Sequence, residues 1–141
     1  MTYDSTNIFA KILRGEAEAH RVHEDDSTLV IMDAMPQSDG HALVLPKVAA
    51  ENIYDLDPAM AATVMRIGQR VALAARHAFQ PAGITLMQFN GAEAGQTVFH
   101  FHLHVIPRYA GQPLRAHGRG FADPAVLADQ AARLRAALET V

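Results

Sequence analysis

Residues 100–106 read His-Phe-His-Leu-His-Val-Ile, a run in which three histidines alternate with apolar residues. A β-strand places successive side chains on opposite faces, so the alternation predicts a strand over 98–106 that Pro107 ends. The three imidazoles would share one face of this strand, and Phe101, Leu103 and Val105 would share the other. Hydrophobic side chains would pack better than three rings that titrate near neutral pH, so the pattern favours a chemical role.

Three interpretations of His100, His102 and His104 are open from the residues alone. In the first, the rings are partly buried and satisfied by hydrogen bonds. In the second they bind a metal: strand residues two apart lie ~6.6 Å apart and can share a zinc ion at ~2.1 Å per bond, whereas the outer pair, about 13 Å apart, cannot. Another ligand, such as His41 or Glu93, would then be needed. In the third, a neutral ring attacks phosphorus while its neighbours orient it and meet the developing charge.

The composition sets broad limits on the class of protein. At 141 residues, with 50% of them hydrophobic and 19% charged, the chain is long enough for one domain over 1–141. A net charge of −3 argues against nucleic acid as the main partner. The absence of cysteine excludes disulfides, thiolate zinc sites and a cysteine nucleophile, and it fits a cytoplasmic protein. The polar N-terminus and the lack of a long apolar run predict neither a signal peptide nor a membrane span.

Helix and strand signals surround the histidine run. Ser5 or Thr6 would cap a short first helix, and Asp-Pro pairs at 57–58 and 123–124 would begin two longer ones. The predicted order is a helix over 8–13, a hairpin of strands 21–24 and 28–32, a strand over 41–45, a long helix over 58–79, a strand over 84–89, the histidine strand and a C-terminal helix over 124–138. Strands adjacent to strands, with the helices set apart, predict an α+β fold with an antiparallel sheet of about five strands.

The histidine run resembles the signature of the histidine triad (HIT) superfamily of nucleotide hydrolases and transferases. Other segments resemble that family in the same order: Ile8-Phe9-Ala10-Lys11-Ile12, Glu24-Asp25-Asp26, Asp33 with Pro36, Gly40-His41 through Pro46-Lys47, Asn90-Gly91 and Gly95-Gln96-Thr97-Val98. The resemblance covers about 6–108, leaves 109–141 as a C-terminal extension, and is greatest for the bacterial, Hint-like nucleoside phosphoramidases. It implies a HIT-like fold.

The resemblance also implies catalytic roles. His102 would be the nucleophile, with its second ring nitrogen donating to a backbone carbonyl. His104 would donate to a non-bridging phosphate oxygen, and His100 would hold the network in place. Gln96 and Thr97 would surround the phosphate, although an ordinary polar turn is the alternative.

Nucleotide-binding roles follow from the same resemblance. Asp33 would hold the ribose hydroxyls, Asn90 would lie near phosphate and ribose, and His41 would orient the triad from behind. The positions matching those that sandwich the base are Ile8, Phe9, Ile12, Ile31 and Met32, for which core packing is the alternative.

The chain departs from many bacterial relatives at a structural zinc site. Asn7 and Ala10 stand where those relatives have the cysteines of a Cys-x-x-Cys motif, and 48–50 lack their usual histidine. We therefore expect no metal, and the chemistry calls for no cofactor.

By resemblance, the expected activity is hydrolysis at the α-phosphate of a purine nucleoside 5′-phosphoramidate through a covalent nucleotidyl-histidine. The alternatives are cleavage of diadenosine polyphosphates and a slow nucleotide-binding or scaffolding role. The family also implies a homodimer formed through the long helix and a neighbouring strand.

The remaining cationic candidates lie outside these motifs. Arg108, Arg115 and Arg119 form either a cationic flap toward phosphates or a solvated loop, and His117 is expected at the surface.

Overall fold

A single antiparallel sheet organises the chain. In the computed structural model, which describes residues 2–116 and 120–141, the strands are β1 (Arg21–Glu24), β2 (Thr28–Met32), β3 (Ala42–Pro46), β4 (Gly83–Met87) and β5 (Leu103–Arg108). Their order in the sheet is β1-β2-β3-β5-β4, and every neighbouring pair is antiparallel. The last strand of the sequence is therefore inserted between β3 and β4, which places the end of the histidine run near the middle of the sheet.

Three α-helices among the described residues complete an α+β fold, as predicted. They are α1 (Ile8–Leu13), α2 (Pro58–Phe79) and α3 (Pro124–Leu138), and a 3₁₀ turn covers Ala92–Ala94. Asp123 caps α3 by accepting from Ala125 N. The prediction that Ser5 or Thr6 caps α1 is wrong: the cap is Asn7, whose Oδ1 accepts from Ala10 N at 2.9 Å.

The histidine run is not one continuous strand. β5 begins at Leu103, so His100 and His102 precede it, and the prediction that all three rings share a strand face is wrong. The chain joins the ladder with β3 only at Leu103, and just before it Phe101 N donates to Ala50 O, in the segment after β3. Pro107 lies inside β5 rather than ending it. The register of β3 with β5 stops at Val105, so Pro107 pairs with β4 alone, as proline does in an edge strand.

The two faces of the sheet are covered differently. Along β2, Val30 and Met32 join the larger core, which contains residues of α2 and α3, whereas Leu29 and Ile31 pack with Phe9 of α1. This period of two is what a strand buried on both faces produces. Each fully buried aliphatic side chain contributes about 1.5–3 kcal/mol. The α1 face also carries the candidate site.

Two glycines permit close contacts beside the site. A Cβ on Gly68 of α2 would lie 2.6 Å from Leu103 Cδ2, so the glycine lets α2 approach β5 closely. Gly40 precedes His41, has φ +87°, and a Cβ there would lie 2.7 Å from the Phe79 ring. Both a left-handed backbone and a close neighbour therefore require glycine at position 40.

Backbone hydrogen bonds hold the C-terminal extension beside the loop that follows β2. Arg115 N donates to Gln37 O, and Ala122 N donates to Ala34 O. The Arg115 side chain contacts Asp39, and Arg108 donates to the Thr85 hydroxyl, so these two arginines are engaged elsewhere than at a phosphate flap. Arg119 and His117 lie outside the described residues.

Within 2–116 and 120–141, every helix is either too short or too polar to cross a lipid bilayer.

Candidate active site

A cleft of about 890 Å³ lies between α1, the loop before β1, the end of β2 and the C-terminal extension. Its volume is in the range of small-molecule sites. Its polar and charged lining consists of Glu18, His20, Arg21, Asp33, Thr97, His102 and His104. Its apolar lining includes Ile8, Phe9, Ile12, Ile31, Met32, Leu43, Val98, Phe121 and Leu127. The cleft therefore combines an apolar wall with a small set of groups suited to phosphate chemistry.

Hydrogen bonding determines the tautomer of His102. Its Nδ1 lies 2.6 Å from the carbonyl oxygen of His100, and because a carbonyl only accepts, Nδ1 must carry the proton. The same peptide unit is fixed from its other side, since Phe101 N donates to Ala50 O at 2.8 Å. The Phe9 ring packs edge-on against the imidazole, with the centroids 4.8 Å apart. In the neutral ring of His102, Nε2 is therefore the acceptor nitrogen.

Hydrogen bonding also determines the tautomer of His104. Gln37 N donates to His41 Nδ1 at 3.0 Å, so the proton of His41 is on Nε2. That Nε2 lies 2.9 Å from His104 Nδ1, which must accept, and 3.4 Å from Asp33 Oδ2. His104 therefore carries its proton on Nε2. Beside the acceptor nitrogen of His102, the site thus has a ring with an N–H donor; the two ring centroids are 4.9 Å apart.

His100 is buried behind His102. Its Nε2 lies 2.9 Å from Pro46 O and its Nδ1 lies 2.5 Å from the Tyr3 hydroxyl. Burial lowers the pKa of His100, against a smaller opposite effect of the bond to Pro46. The ring is consequently neutral near pH 7. Sequence reasoning missed Tyr3, because the N-terminal segment carries no motif that marks it.

One group of described residues has the spacing of a metal site. Candidate ligand atoms of Asp33, His41 and His104 all lie within 4.8 Å of one another. However, the Gln37 N–H occupies His41 Nδ1, so the His41 proton points into the group. A metal there would have to displace that proton and leave an imidazolate, which neutral imidazole ligands do not require. The group does not fit a metal and is better described as a hydrogen-bonded relay.

The zinc position of bacterial relatives also lacks suitable donors. Asn7 uses Oδ1 to cap α1 and Nδ2 to reach the Tyr3 hydroxyl and Asp4 O, and Ala10 has no ligand atom. Structural zinc requires thiolate, imidazole or carboxylate donors. The residues present therefore do not fit zinc.

Two residues predicted to lie near the phosphate make hydrogen bonds to the backbone. The Gln96 amide donates to Glu51 O and Val98 O and accepts from Gly91 N, so its side chain holds the loop. Asn90 Oδ1 accepts from Ile53 N at 2.8 Å. Of the described residues around the cleft, Thr97 belongs to the lining and neither amide does.

The remaining predicted positions do converge on the cleft. All five apolar positions assigned to the base line it, together with Asp33. Asp33 is nearly buried, and its Oδ1 accepts from Met35 N at 2.9 Å, so the carboxylate also fixes the turn after β2. His41 is fully buried and contacts the site through His104. Phe121 was missed because it follows a glycine-rich stretch with no periodicity.

Comparisons with known proteins agree with this geometry. The HIT domain model matches residues 14–111. The chain is 39% identical over 102 residues to Protein hit of Bacillus subtilis, covering 72% of this chain and 70% of the relative. It is 34% identical to the adenylylsulfatase HINT3 of Arabidopsis thaliana, covering 82% of this chain and 62% of that protein. A HIT-like protein from Bartonella henselae superposes with a TM-score of 0.90 at 43% identity, covering 96% and 99% of the two chains. Members of this family are generally nucleotide hydrolases. The chain belongs to the HIT family.

Proposed function

We propose that the protein is a nucleoside phosphoramidase, which hydrolyses the bond between the α-phosphate of a purine nucleoside 5′-monophosphate and an amine. The observation that carries this proposal is the bond from His102 Nδ1–H to His100 O on a ring that lines the cleft, because in the neutral imidazole this bond makes Nε2 the nitrogen with the lone pair. A neutral imidazole is a nucleophile without prior loss of a proton.

The reaction takes two steps. His102 Nε2 attacks the α-phosphorus, a P–N bond to the imidazole forms, and the bond to the leaving amine breaks; the amine takes a proton from solvent. The imidazolium that results keeps its Nδ1–H on His100 O. Water then attacks phosphorus and gives up a proton to solvent, the P–N bond to the imidazole breaks with its electron pair returning to Nε2, the nucleotide leaves as the monophosphate, and His102 regains its neutral form. In both steps the phosphorus gains negative charge on its non-bridging oxygens.

His104 meets that charge. Its Nε2–H, fixed by His41, would donate to a non-bridging oxygen, and Thr97 supplies a second donor from the cleft lining. Because these donors are oriented before substrate binds, little reorganisation is needed as charge develops. The apolar positions from α1 and β2 would enclose the purine, and Asp33 would accept from the ribose hydroxyls.

Adenylyl sulfate is a second candidate substrate. Its cleavage uses the same attack on the α-phosphorus, with sulfate as leaving group, and a relative at 34% identity bears the name adenylylsulfatase. Diadenosine polyphosphates and a slow nucleotide-binding role are the remaining alternatives. Relative rates on the three substrates discriminate among them.

We also propose that the protein is a cytoplasmic homodimer with one domain per chain. Met65 and Leu73 of α2 and Leu86 of β4 are exposed large hydrophobic side chains, and β4 is an edge strand. Joining β4 to its copy would cover both the strand edge and these side chains. Analytical ultracentrifugation tests this assembly: a monomer at micromolar concentration contradicts it.

The activity test compares wild type, His102→Ala and His77→Ala on adenosine 5′-phosphoramidate with EDTA present. His77 is exposed on α2 and provides a matched loss of an imidazole. We expect AMP release by wild type and His77→Ala, and a loss of at least about 10³-fold in His102→Ala. No turnover by wild type, or equal turnover by His102→Ala, contradicts the proposal.

A further inference from the structure

The N-terminal segment reaches the back of the histidine cluster through Tyr3. Its hydroxyl lies 2.5 Å from His100 Nδ1 and accepts from Asn7 Nδ2 at 2.9 Å. The Tyr3 ring meets the His100 ring edge-on, with the centroids 5.8 Å apart. Tyr3 thus connects the cap of α1 to the first histidine of the triad.

The hydrogens in this chain can be arranged in one way. Asn7 Nδ2 is a donor, so the Tyr3 oxygen accepts from it and directs its own proton to His100. Pro46 O only accepts, so His100 Nε2 carries the ring proton and Nδ1 is the acceptor. Both nitrogens of His100 are therefore bonded, and the ring has no freedom to flip.

The fixed ring matters because of where His100 lies. His100 precedes β5, so the strand ladder does not set its position. Its carbonyl is nevertheless the acceptor that keeps the proton of His102 on Nδ1. The two ring bonds of His100 and the bond from Phe101 N to Ala50 O supply the restraint that the ladder does not.

We propose that Tyr3 is a positioning residue for the nucleophile: its hydroxyl holds the His100 ring, and the His100 carbonyl in turn sets the tautomer and aim of His102. The inference rests on the proposed function for its catalytic meaning. Asn7 orients the hydroxyl through its Nδ2 donor. A chain of hydrogen bonds from Asn7 through Tyr3 to His100 thus restrains the His100 ring.

The first test is Tyr3→Phe, which keeps the ring contact and removes the hydroxyl. On the phosphoramidate we expect kcat to fall about tenfold, the usual effect of losing one hydrogen bond that aligns a reacting group, with KM unchanged. Tyr109→Phe is the matched control, since that hydroxyl also donates one hydrogen bond, to Asp39 O at 2.7 Å, away from the triad. We expect the control to keep wild-type kcat.

A second variant, Asn7→Asp, separates positioning from folding. The carboxylate still caps α1 through its acceptor oxygen, but the donor to the Tyr3 hydroxyl and to Asp4 O becomes an acceptor, so circular dichroism accompanies the kinetics. It would attract the Tyr3 proton away from His100 Nδ1. We expect the helix to remain and kcat to fall as in Tyr3→Phe.

Nitrogen NMR of ¹⁵N-histidine-labelled protein gives a readout that does not depend on turnover. We expect Tyr3→Phe to shift the His100 Nδ1 resonance and to speed solvent exchange of the His102 Nδ1 proton, whereas Tyr109→Phe changes neither. Unchanged resonances and an unchanged kcat in Tyr3→Phe would overturn the proposal. If wild type does not hydrolyse the phosphoramidate, the proposed function fails, and the NMR comparison alone then decides whether Tyr3 restrains His100 and His102.

Discussion

His41 Nε2 lies 2.9 Å from His104 Nδ1, and the backbone N–H of Gln37 on the opposite nitrogen of His41 decides which ring donates. A residue separated by 63 positions from His104 therefore fixes the proton of His104 on Nε2, where a phosphate oxygen can use it. Asp33 Oδ2, 3.4 Å from the same His41 nitrogen, adds a negative charge behind this relay.

Replacing His41 should disable the relay with little effect on substrate binding. In His41→Phe the volume is retained but His104 loses the donor that selects its tautomer. We expect kcat on the phosphoramidate to fall by about 10²-fold, with KM changing far less. Steady-state kinetics measures both, and an equal fall in affinity with constant kcat would show that His41 acts on binding instead.

The lowered pKa of His100 predicts a dependence of stability on pH. Because the folded protein resists protonating this ring, the unfolded chain binds more protons in the window below the ordinary histidine pKa of about 6.5. The contribution of the neutral His100 ring to the free energy of unfolding is therefore fully present above about pH 6.5. It is lost as the pH falls through the pKa that His100 has in the folded protein. Urea unfolding of wild type and His100→Gln at pH 7.5 and pH 5 measures how much the free energy of unfolding falls on acidification. Glutamine keeps a donor for Pro46 O but does not titrate, so we expect the variant to lose less stability than wild type between pH 7.5 and pH 5. Equal losses in the two proteins would contradict a lowered pKa of His100.

Alanine should lower the free energy of unfolding more at Gly40 than at Gly15, although both glycines have positive φ. At Gly15, where φ is +79° and nothing lies within 4 Å of a new Cβ, alanine should cost about 1–2 kcal/mol for the left-handed backbone. At Gly40 the same strain is joined by contact with Phe79 at 2.7 Å, which adds about 1–3 kcal/mol of overpacking. Equilibrium unfolding of the two alanine variants compares them directly. Equal losses would mean that Phe79 moves aside without cost.

Phe121 should contribute to nucleotide binding and little to folding. It lines the cleft but is 80% exposed, so truncation removes contact with a ligand rather than core packing. We expect Phe121→Ala to raise the Kd for AMP about tenfold, the scale of one aromatic stacking contact. Tyr54→Ala is the matched control, because Tyr54 is 78% exposed and lies outside the cleft lining among the described residues. Isothermal titration that finds equal affinities for both variants and wild type excludes this role.

Turn and helix-capping residues correctly predicted the elements that contacts between sequence neighbours stabilise. The polar turn between β1 and β2 is held by Asp25, which accepts from Ser27 N and Thr28 N, and Asp123-Pro124 begins α3. The late start of β5, at Leu103, was not predictable, because the residues before it make a long-range contact instead: Phe101 N bonds Ala50 O, 51 positions away in the chain. Alternation of polar and apolar residues describes any extended segment, whether or not it joins a ladder.

Some residues of the candidate site were likewise predictable from the sequence and others were not. The histidine run and the apolar positions of α1 and β2 were identified from residue type and resemblance, and they converge on one cleft. The hydrogen-bond partners of the Gln96 and Asn90 side chains were not predictable from the sequence. An amide bonds to backbone groups as readily as to phosphate, and the backbone around this loop offers several such groups. Tyr3 and Phe121 join the site only through tertiary packing.

The most direct test of the account is to trap the covalent intermediate. Wild-type protein would be mixed with adenosine 5′-phosphoramidate, quenched in base within the first turnover because phosphorus–nitrogen bonds to histidine are labile in acid, and mapped by peptide mass spectrometry. The account predicts an adenylyl group on His102 that is missing in His102→Ala. Release of AMP at the wild-type rate with no adduct on any histidine would contradict it.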